Sequence, residues 1–308
     1  MDNMVYRYGA GALLSMAGLV LALSSCIRDE LESCPPLRVS LGVEDKNYVN
    51  IAAAARLGYE EERATDLPFR EYVGDLAYSV VNLQTGDVVA ERALSAVDGD
   101  AELLEVALPA DLPYGDYLLK AWGNIGDASL MGADLSSLEL HPNGIEGPDS
   151  YFVSDTLRYA LGSENFSCGM RRVKGKMIIS TEKMPKEYGF SEWQVSDIMS
   201  SVDDAWQYAD PITMSFQKVW NREEPKMLAK CLLAPSLKRG ASLVEQKYHV
   251  GLANSGNGNW IAPEPVCVTL RRNELTILRY EYDPCCCRFK IYILINDNWE
   301  TLHIMDVE

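Results

Sequence analysis

Hydrophobic and polar residues alternate along much of the chain after residue 36, and this period of two predicts β-strands. The first such strand is predicted over Leu37–Val43, where every second residue is hydrophobic. Near the end of the chain the same pattern predicts strands over Thr276–Tyr282 and Phe289–Ile295, and a last strand over Trp299–Met305. The alanine-rich segment Asn50–Leu57 predicts one short helix, and no long amphipathic helix is predicted.

Turn residues separate the predicted strands. Leu76–Leu83 and Val88–Leu94 flank the sequence QTGD, which predicts a β-hairpin. Met170–Thr181 predicts a single strand, and the segment around Pro185–Gly189 predicts short helical or irregular pieces. The segment Pro185–Pro265 fits no clear pattern. Short strands with glycine- and proline-rich turns are typical of β-sandwiches, so we expect an all-β fold with domains at residues 37–165 and 166–308.

The N-terminal segment has the features of an export signal. Gly9–Leu23 is apolar or small apart from one serine, and Arg7 precedes it. The run is shorter than the roughly 20 residues needed to span a bilayer. The following LSSC resembles a bacterial lipobox, in which Cys26 would become the acylated N-terminus. We therefore expect a lipoprotein signal peptide at residues 1–25 and a lipidated tether at 26–36. An ordinary signal peptide with a chance cysteine is the alternative.

Three charged residues, Arg28, Asp29 and Glu30, follow the lipidation site. They resemble the acidic tag that directs some lipoproteins to the outer face of the outer membrane. A solvated tether is the alternative interpretation. We expect an outer-membrane protein, anchored by lipid and exposed at the surface.

Net charge narrows the range of partners. The 308 residues include 28 Lys and Arg against 45 Asp and Glu, a formal net charge of −17. Such an acidic surface argues against nucleic acid or an anionic lipid face as a partner. The composition, 47% hydrophobic and 24% charged, is that of a globular protein.

Cysteine usage is consistent with an exported protein. Lipidation of Cys26 would leave seven cysteines, so at least one is unpaired or pairs between chains. Cys34 is a candidate for a disulfide whose partner the sequence leaves open. The consecutive cysteines 285, 286 and 287 lack the paired spacing of zinc sites, so we expect no metal site. Read as part of a strand, Cys285 and Cys287 would be small core residues on the face of Phe289.

A longer motif indicates a family. The segment LPYGDYLLKAWGN, Leu112–Asn124, resembles the L-x-x-G-x-Y-x-L-x-x-W-G-N stretch of the FimB-type fimbrial anchor lipoproteins, the fimbrillin-A-associated anchors of type V pili. Cys26 followed by a short acidic spacer and Cys34-Pro35 is similar to the start of that family. Asp155–Tyr159 resembles the end of its first domain, and the hairpin at Asn296–Trp299 resembles its C-terminus. The resemblance extends over most of the chain but is close only in the first 125 residues.

This resemblance implies two tandem transthyretin-like β-sandwich domains, with no cofactor and no catalysis. It implies that the protein attaches a fimbrium to the outer membrane and limits its growth through β-strand contact with pilin subunits. Related shaft subunits lose their first strand to a protease that cuts after a basic residue. A cut at Arg56 or Arg63 would separate the body from its own anchor, so we expect Leu37–Val43 to be retained and buried. Pilin would then contact another edge, such as the hairpin Phe289–Met305.

Glycan binding is the alternative function. Sandwich domains can bind glycans through exposed aromatic residues, and four tryptophans lie in the segment without a clear pattern: Trp193, Trp206, Trp220 and Trp260. Core or loop positions are the alternative for these residues. An enzyme is not expected, because no catalytic motif is present and His249 and His303 have no neighbouring partner in the sequence.

Overall fold

The computed structural model describes residues 35–221, 224, 226–251, 259–295 and 298–303. Residues 36–308 form one compact unit. The strands in chain order are β1 (Arg38–Val43), β2 (Asp75–Asn82), β3 (Val88–Ala96), β4 (Leu104–Glu105), β5 (Gly115–Gly123), β6 (Ser137–Glu139), β7 (Tyr151–Tyr159), β8 (Asn165–Arg172), β9 (Gly175–Glu182), β10 (Tyr188–Asp203), β11 (Tyr208–Val219), β12 (Lys226–Leu233), β13 (Ser242–Val250), β14 (Trp260–Ile261), β15 (Val266–Val268), β16 (Leu275–Asp283), β17 (Arg288–Ile295) and β18 (Asn298–His303).

Helical structure is sparse in the described residues. One short α-helix, α1 (Ile51–Arg56), confirms the helix predicted from the alanine-rich segment. Four single 3₁₀ turns lie at Phe69–Glu71, Ala128–Leu130, Ala133–Leu135 and Pro142–Gly144. Within the described part of the chain, no helix is long and apolar enough to cross a membrane.

The N-terminal lobe is a β-sandwich made from one seven-stranded sheet. Its strand order is β3-β2-β5-β7-β8-β1-β4. Strands β7 and β8 share only two residue pairs, Tyr151 with Arg172 and Phe152 with Arg171. The sheet bends at this short contact, and its two parts enclose a common core that includes Leu41, Leu76 and Leu119.

The C-terminal lobe packs two sheets face to face. One has the order β11-β10-β13-β14, with β15 also paired to β13 and β6 paired to β10. The other has the order β12-β9-β16-β17-β18. Their shared core includes Ile179, Val195 and Leu278. The all-β sandwich fold predicted from the sequence is therefore confirmed.

The two lobes share side chains. Trp122 and Phe152 from the N-terminal sheet are buried in the core of the C-terminal lobe, with ring centroids 3.9 Å apart. Strand β6 also joins the C-terminal lobe by pairing with β10. Strand β8 pairs in parallel with β1, so the first sheet continues to Arg172. The domain boundary predicted after residue 165 thus falls at the start of β8.

Two local predictions were wrong. Met170–Thr181 is not one strand, because β8 ends at Arg172 and β9 begins at Gly175. The side chain of Lys174 turns inward in this break, and a Cβ at position 175 would lie 2.2 Å from the carbonyl oxygen of Arg271. In the segment Pro185–Gly189, residues 185–187 are irregular, which is one of the two predicted alternatives, and the 16-residue strand β10 begins at Tyr188.

The second error concerns residues 285–287. The ladder between β16 and β17 ends at the pair Asp283–Arg288, so the three cysteines form a turn rather than part of a strand. The carboxylate of Asp283 accepts the backbone N–H of Cys285, which favours the turn. Cys285, Cys286 and Cys287 are exposed, not core residues.

Candidate functional site

The first strand is built into the interior of the N-terminal lobe. Strand β1 forms six parallel residue pairs with β8 on one side and pairs with β4 on the other. Leu37, Val39, Leu41 and Val43 are all buried, as the alternating pattern predicted. The ladder with β8 runs along the whole of β1 and that with β4 covers Ser40 and Leu41, so this strand position is occupied by the chain itself.

The segment after β1 is fastened to the C-terminal lobe. The side-chain amide of Asn50 donates to the carbonyl of Leu275 (2.8 Å) and accepts the N–H of the same residue (2.9 Å). Ile51 and Ala54 of α1 pack against Ile178 and Ile277. The protein therefore continues from β1 directly into contacts with β9 and β16.

A buried ionic cluster ties the end of β1 to the junction of the lobes. Asp45 accepts the backbone N–H of Arg172 and an N–H of the Arg272 side chain, both at 2.9 Å. The Arg172 side chain is 2% exposed and forms an ion pair of 2.9 Å with Asp149. It also donates to Asn273 Oδ1 (2.6 Å) and to the Tyr151 hydroxyl (2.5 Å).

Electrostatics favour the charged form of Arg172. Burial alone would lower the pKa of Arg172, but the carboxylate of Asp149 and the nearby phenols raise it. The guanidinium also lies 4.2 Å from the ring centroid of Tyr48. Burial raises the pKa of the Tyr151 phenol. The five donors of an arginine fit this planar arrangement, which a lysine could not satisfy.

A second buried cluster holds the loop at residues 140–147. Lys174 donates to the carbonyls of Leu140 (2.8 Å) and Glu146 (2.6 Å), and burial lowers its pKa to about 8. His141 Nε2 accepts the N–H of Ala234 at 3.0 Å, so its proton resides on Nδ1, which lies 3.2 Å from the Ile145 carbonyl oxygen. Burial and the charge of Lys174 lower the pKa of His141 to about 3. These groups are bound to backbone and serve to fix the loop.

The outermost strands of the sheets have different features that discourage pairing with a strand of another chain. Strand β3 has two irregularities in its pairing with β2, and β4 and β14 are two residues long. Strand β11 contains Pro211, and β12 carries Lys226 and Lys230, which pair with Glu182 and Glu60. Bulges, short length, proline and lysine all discourage pairing with another chain.

Strand β18 is the exception among these outer strands. It is six residues long, carries neither lysine nor proline, and is outermost in its sheet. Its pairing with β17 is irregular only between Ile291 and Tyr292. Trp299 secures it by packing edge-on against Tyr59 at 5.8 Å. This edge belongs to the C-terminal hairpin that the sequence indicated as a contact surface.

The four tryptophans of the segment without a clear pattern occupy different positions. Trp193 and Trp220 are buried, and Trp206 is half-buried against Phe152 at 5.3 Å. Trp260 is 56% exposed, with Lys247 Nζ 5.7 Å from its ring centroid. Core positions are therefore confirmed for two of the four.

A shallow cavity of about 220 Å³ lies on the same sheet as Trp260. Side chains from three adjacent strands line it: Glu192 and Gln194 of β10, Ser215 and Gln217 of β11, and Glu245 and Lys247 of β13. His249 is next to it, with Nε2 3.2 Å from Glu192. Carboxylates, amides, a hydroxyl and an ammonium group thus surround one concave surface beside an exposed indole.

Several predicted residues lie outside the described part of the chain. These are Cys26, Cys34 and the charged group Arg28, Asp29 and Glu30. The side chain of His303 is likewise not described. In the region that the structure does describe, Arg56 and Arg63 are both exposed between β1 and β2. Arg56 is the last residue of α1, and Arg63 lies in the following loop.

Comparisons with known proteins identify the fold. Neither the protein-family models nor the curated proteins give a match. A candidate adhesin from Bacteroides thetaiotaomicron is similar in structure, with a TM-score of 0.55 and 14% identity over 88% of this chain and 99% of that chain. A candidate polysaccharide-binding protein from the same organism has a TM-score of 0.55 and 11% identity over 87% of this chain and 98% of that chain.

The fimbrial anchor protein Mfa2 from Porphyromonas gingivalis is more distant. Its TM-score is 0.48, with 14% identity over 87% of this chain and all of that chain (100%). We base no conclusion on this similarity. At such low identity, the two similarities with TM-scores of 0.55 establish a shared fold, and a fold supports many functions.

Proposed function

We propose that the protein is an outer-membrane lipoprotein that holds a fimbrium at the cell surface and limits its length. The observation that carries the proposal is the position of β1, which pairs with β4 and β8 and begins shortly after the predicted lipidation site. The resemblance of Leu112–Asn124 to fimbrial anchors supports it. Fold-level analogy with the candidate adhesin adds weaker support. No catalytic step is needed for this role.

The contacts of β1 suit a tether under load. Tension from a lipid at Cys26 would enter the N-terminal lobe through β1, whose six residue pairs with β8 would share the force. Asp45 and Asn50 connect the end of that strand to the C-terminal lobe. The lipid would thus be joined to both lobes through one short segment.

Because β1 fills its own position in the sheet, no strand from another subunit can be added there, and this would explain why the fimbrium stops growing. An exposed edge accepts a strand from another subunit through backbone hydrogen bonds. In this protein β1 already occupies that position, so incoming strands would have to use another edge. Strand β18 is the edge that we assign to pilin, because it is longer than β4 and β14, carries neither lysine nor proline, and has one pairing irregularity where β3 has two.

The experiment is gene deletion followed by complementation. We expect the deletion strain to release fimbriae into the medium and to carry longer ones, because neither anchor nor terminator is present. Wild-type protein should restore both properties, whereas Cys26→Ala should restore neither retention nor membrane attachment. Fimbriae of unchanged length and attachment in the deletion strain would contradict the proposal.

Proline substitutions in β18 test whether pilin pairs with this strand. Adjacent residues of a strand point their N–H groups in opposite directions, so one of Glu300→Pro and Thr301→Pro removes an outward donor and the other breaks the ladder with β17. We expect the variant that retains the wild-type melting temperature to lose pilin binding, with Thr301→Ala as the control. Normal binding by that variant would exclude β18.

Glycan binding is a second candidate function, and one arrangement favours it. Exposed Trp260 stands beside the cavity lined by Glu192, Gln194 and Lys247. An indole face can stack on a sugar ring while carboxylates and amides bind its hydroxyl groups. The structurally similar candidate polysaccharide-binding protein gives fold-level support.

Binding of the purified protein to a glycan array tests this second function. Trp260→Ala and Gln194→Ala should abolish binding if the cavity is a sugar site. Leu161→Ala, which also removes an exposed apolar side chain, is the control. Trp220 is buried and therefore unsuitable for this test. Absence of array binding by wild-type protein would remove this candidate.

A further inference from the structure

The turn between β16 and β17 presents three consecutive thiols to solvent. We call residues 285–287, which are Cys285, Cys286 and Cys287, the thiol tip. All three are exposed, and none has a sulfur partner in the described residues. Cysteine is among the residue types most often buried, so three adjacent exposed cysteines call for a reason beyond packing.

The backbone holds the thiol tip in one conformation. Asp283 Oδ1 accepts the N–H of Cys285 at 3.0 Å, just after the last pair of the β16–β17 ladder. Cys287 has φ of 52°, in the left-handed region that glycine or asparagine adopts more readily. Interaction with the Cys287 thiol and burial raise the pKa of the Tyr282 phenol to about 12, so Cys287 lies close to the end of β16.

The other described cysteines have different surroundings. Cys168 and Cys231 are buried, and burial raises the pKa of both thiols, that of Cys168 to about 12. Such thiols are poor nucleophiles, because the thiolate is the reactive form. Cys267 on β15 is exposed but stands alone in sequence. Accessible thiols are therefore concentrated at the tip.

We propose that the thiol tip is a covalent attachment site that exchanges with a disulfide presented from outside the chain. The thiolate of Cys285 or Cys286 attacks one sulfur of that disulfide. One S–S bond breaks and one forms, and the departing sulfur leaves as a thiolate that takes a proton from water. No net oxidant is needed. The proposal rests on the proposed function only for its compartment, since exported proteins meet disulfides.

Competing fates of these thiols are less compatible with the structure. Adjacent Cα atoms are about 3.8 Å apart, whereas disulfides join Cα atoms about 4.4–6.8 Å apart, so neighbouring cysteines do not close without distortion. No group of three metal-binding side chains in the described residues could hold an ion. A bridge between Cys285 and Cys287 is the remaining internal alternative.

The first test uses purified full-length protein and cystine or an aromatic disulfide as the probe. Tryptic peptide 280–288 contains all three thiols, and mass spectrometry should find the mixed disulfide there. A variant with serine at all three positions should lose the rapid phase of exchange, while Cys267→Ser should retain it. Loss of the rapid phase in Cys267→Ser, or no adduct on peptide 280–288, would overturn the proposal.

The second test uses intact cells whose thiols are trapped by alkylation before lysis. A small thiol on peptide 280–288 would support the proposal and identify the source as a low-molecular-weight disulfide. A dimer linked through that peptide would also support it, because the thiolate of a second copy can displace the small thiol from a mixed disulfide already formed at the tip. A Cys285–Cys287 bridge, or three alkylated thiols, would overturn it. Exchange by purified protein does not depend on fimbriae, so its failure leaves the anchoring proposal intact.

Discussion

Asp45 and Arg272 form an ion pair of 2.9 Å that joins the end of the first strand to the C-terminal lobe. Asp45 also accepts the backbone N–H of Arg172, so one carboxylate connects three segments that are far apart in sequence. Because it directly follows β1, this residue is where tension from the N-terminus would first reach the second lobe.

The contribution of Asp45 can be measured by substitution. Asp45→Ala should lower the free energy of unfolding by about 2 kcal/mol, since it leaves two donors without their charged acceptor. Its neighbour Glu44 provides a matched control, because its pair with Arg171 is exposed on both sides and is expected to contribute about 0–1 kcal/mol. Urea unfolding measures both variants. Equal effects of Asp45→Ala and Glu44→Ala would show that the partly buried Asp45–Arg272 pair stabilises the protein no more than the exposed Glu44–Arg171 pair does.

Arg172 should not tolerate replacement by lysine. A single ammonium group cannot reach Asp149, Asn273 and Tyr151 together, so the variant leaves buried polar groups unpaired. We expect Arg172→Lys to lower the unfolding free energy by about 3 kcal/mol. Arg171→Lys, at the adjacent and more exposed position, is the control. A melting temperature close to wild type for Arg172→Lys would contradict this account of the cluster.

His141 should make the protein sensitive to acid. Its pKa is about 3 in the folded protein and near 6.5 when exposed, so between these values the unfolded chain binds a proton that the folded chain excludes. The unfolding free energy therefore falls as pH falls from 6.5 towards 3, by up to about 1.4 kcal/mol per pH unit.

The variant His141→Gln isolates this effect. Glutamine does not titrate and can still accept the N–H of Ala234. The difference in stability between wild type and variant should shrink as pH falls, because Lys174 and the carboxylates are common to both. A difference that is constant between pH 7 and pH 4 would show that His141 is not kept neutral by the fold.

Strand β1 should contribute strongly to stability. Leu41 is fully buried in the N-terminal core, and Leu41→Ala should lower the unfolding free energy by about 2–5 kcal/mol. Leu161→Ala, at an exposed position, should have little effect. Chemical denaturation gives both values. A small loss for Leu41→Ala would indicate that β1 is a dispensable attachment rather than part of the core.

The sequence predicts those strands that bury one face. β1, β16 and β17 alternate, and the turn QTGD marks the β2–β3 hairpin; the structure has each of these strands. It fails at β10, where the register shifts between Val195 and Ile198 and interrupts the alternation. The parallel pairing of β1 with β8 joins segments more than 120 residues apart, with Ser40 paired to Ser167, and no local pattern indicates it.

For the candidate sites too, features set by a local sequence pattern could be predicted, and features set by contacts between distant segments could not. Burial of Leu37, Val39, Leu41 and Val43 follows from the pattern, but the ion pair between Asp45 and Arg272 does not, because it depends on how distant segments meet. The cysteines at 285–287 were misread, because exposure is decided by where the β16–β17 ladder ends.

The most direct test of anchoring is the intact mass of the protein extracted from cells together with attached fimbriae. A retained first strand predicts one mature species that begins at Cys26, carries acyl chains and includes β1. Cys26→Ala should release the protein from the membrane. A mature species that begins near residue 57 or 64 and still holds fimbriae would contradict the account, because the lipid and β1 would then be unnecessary for attachment.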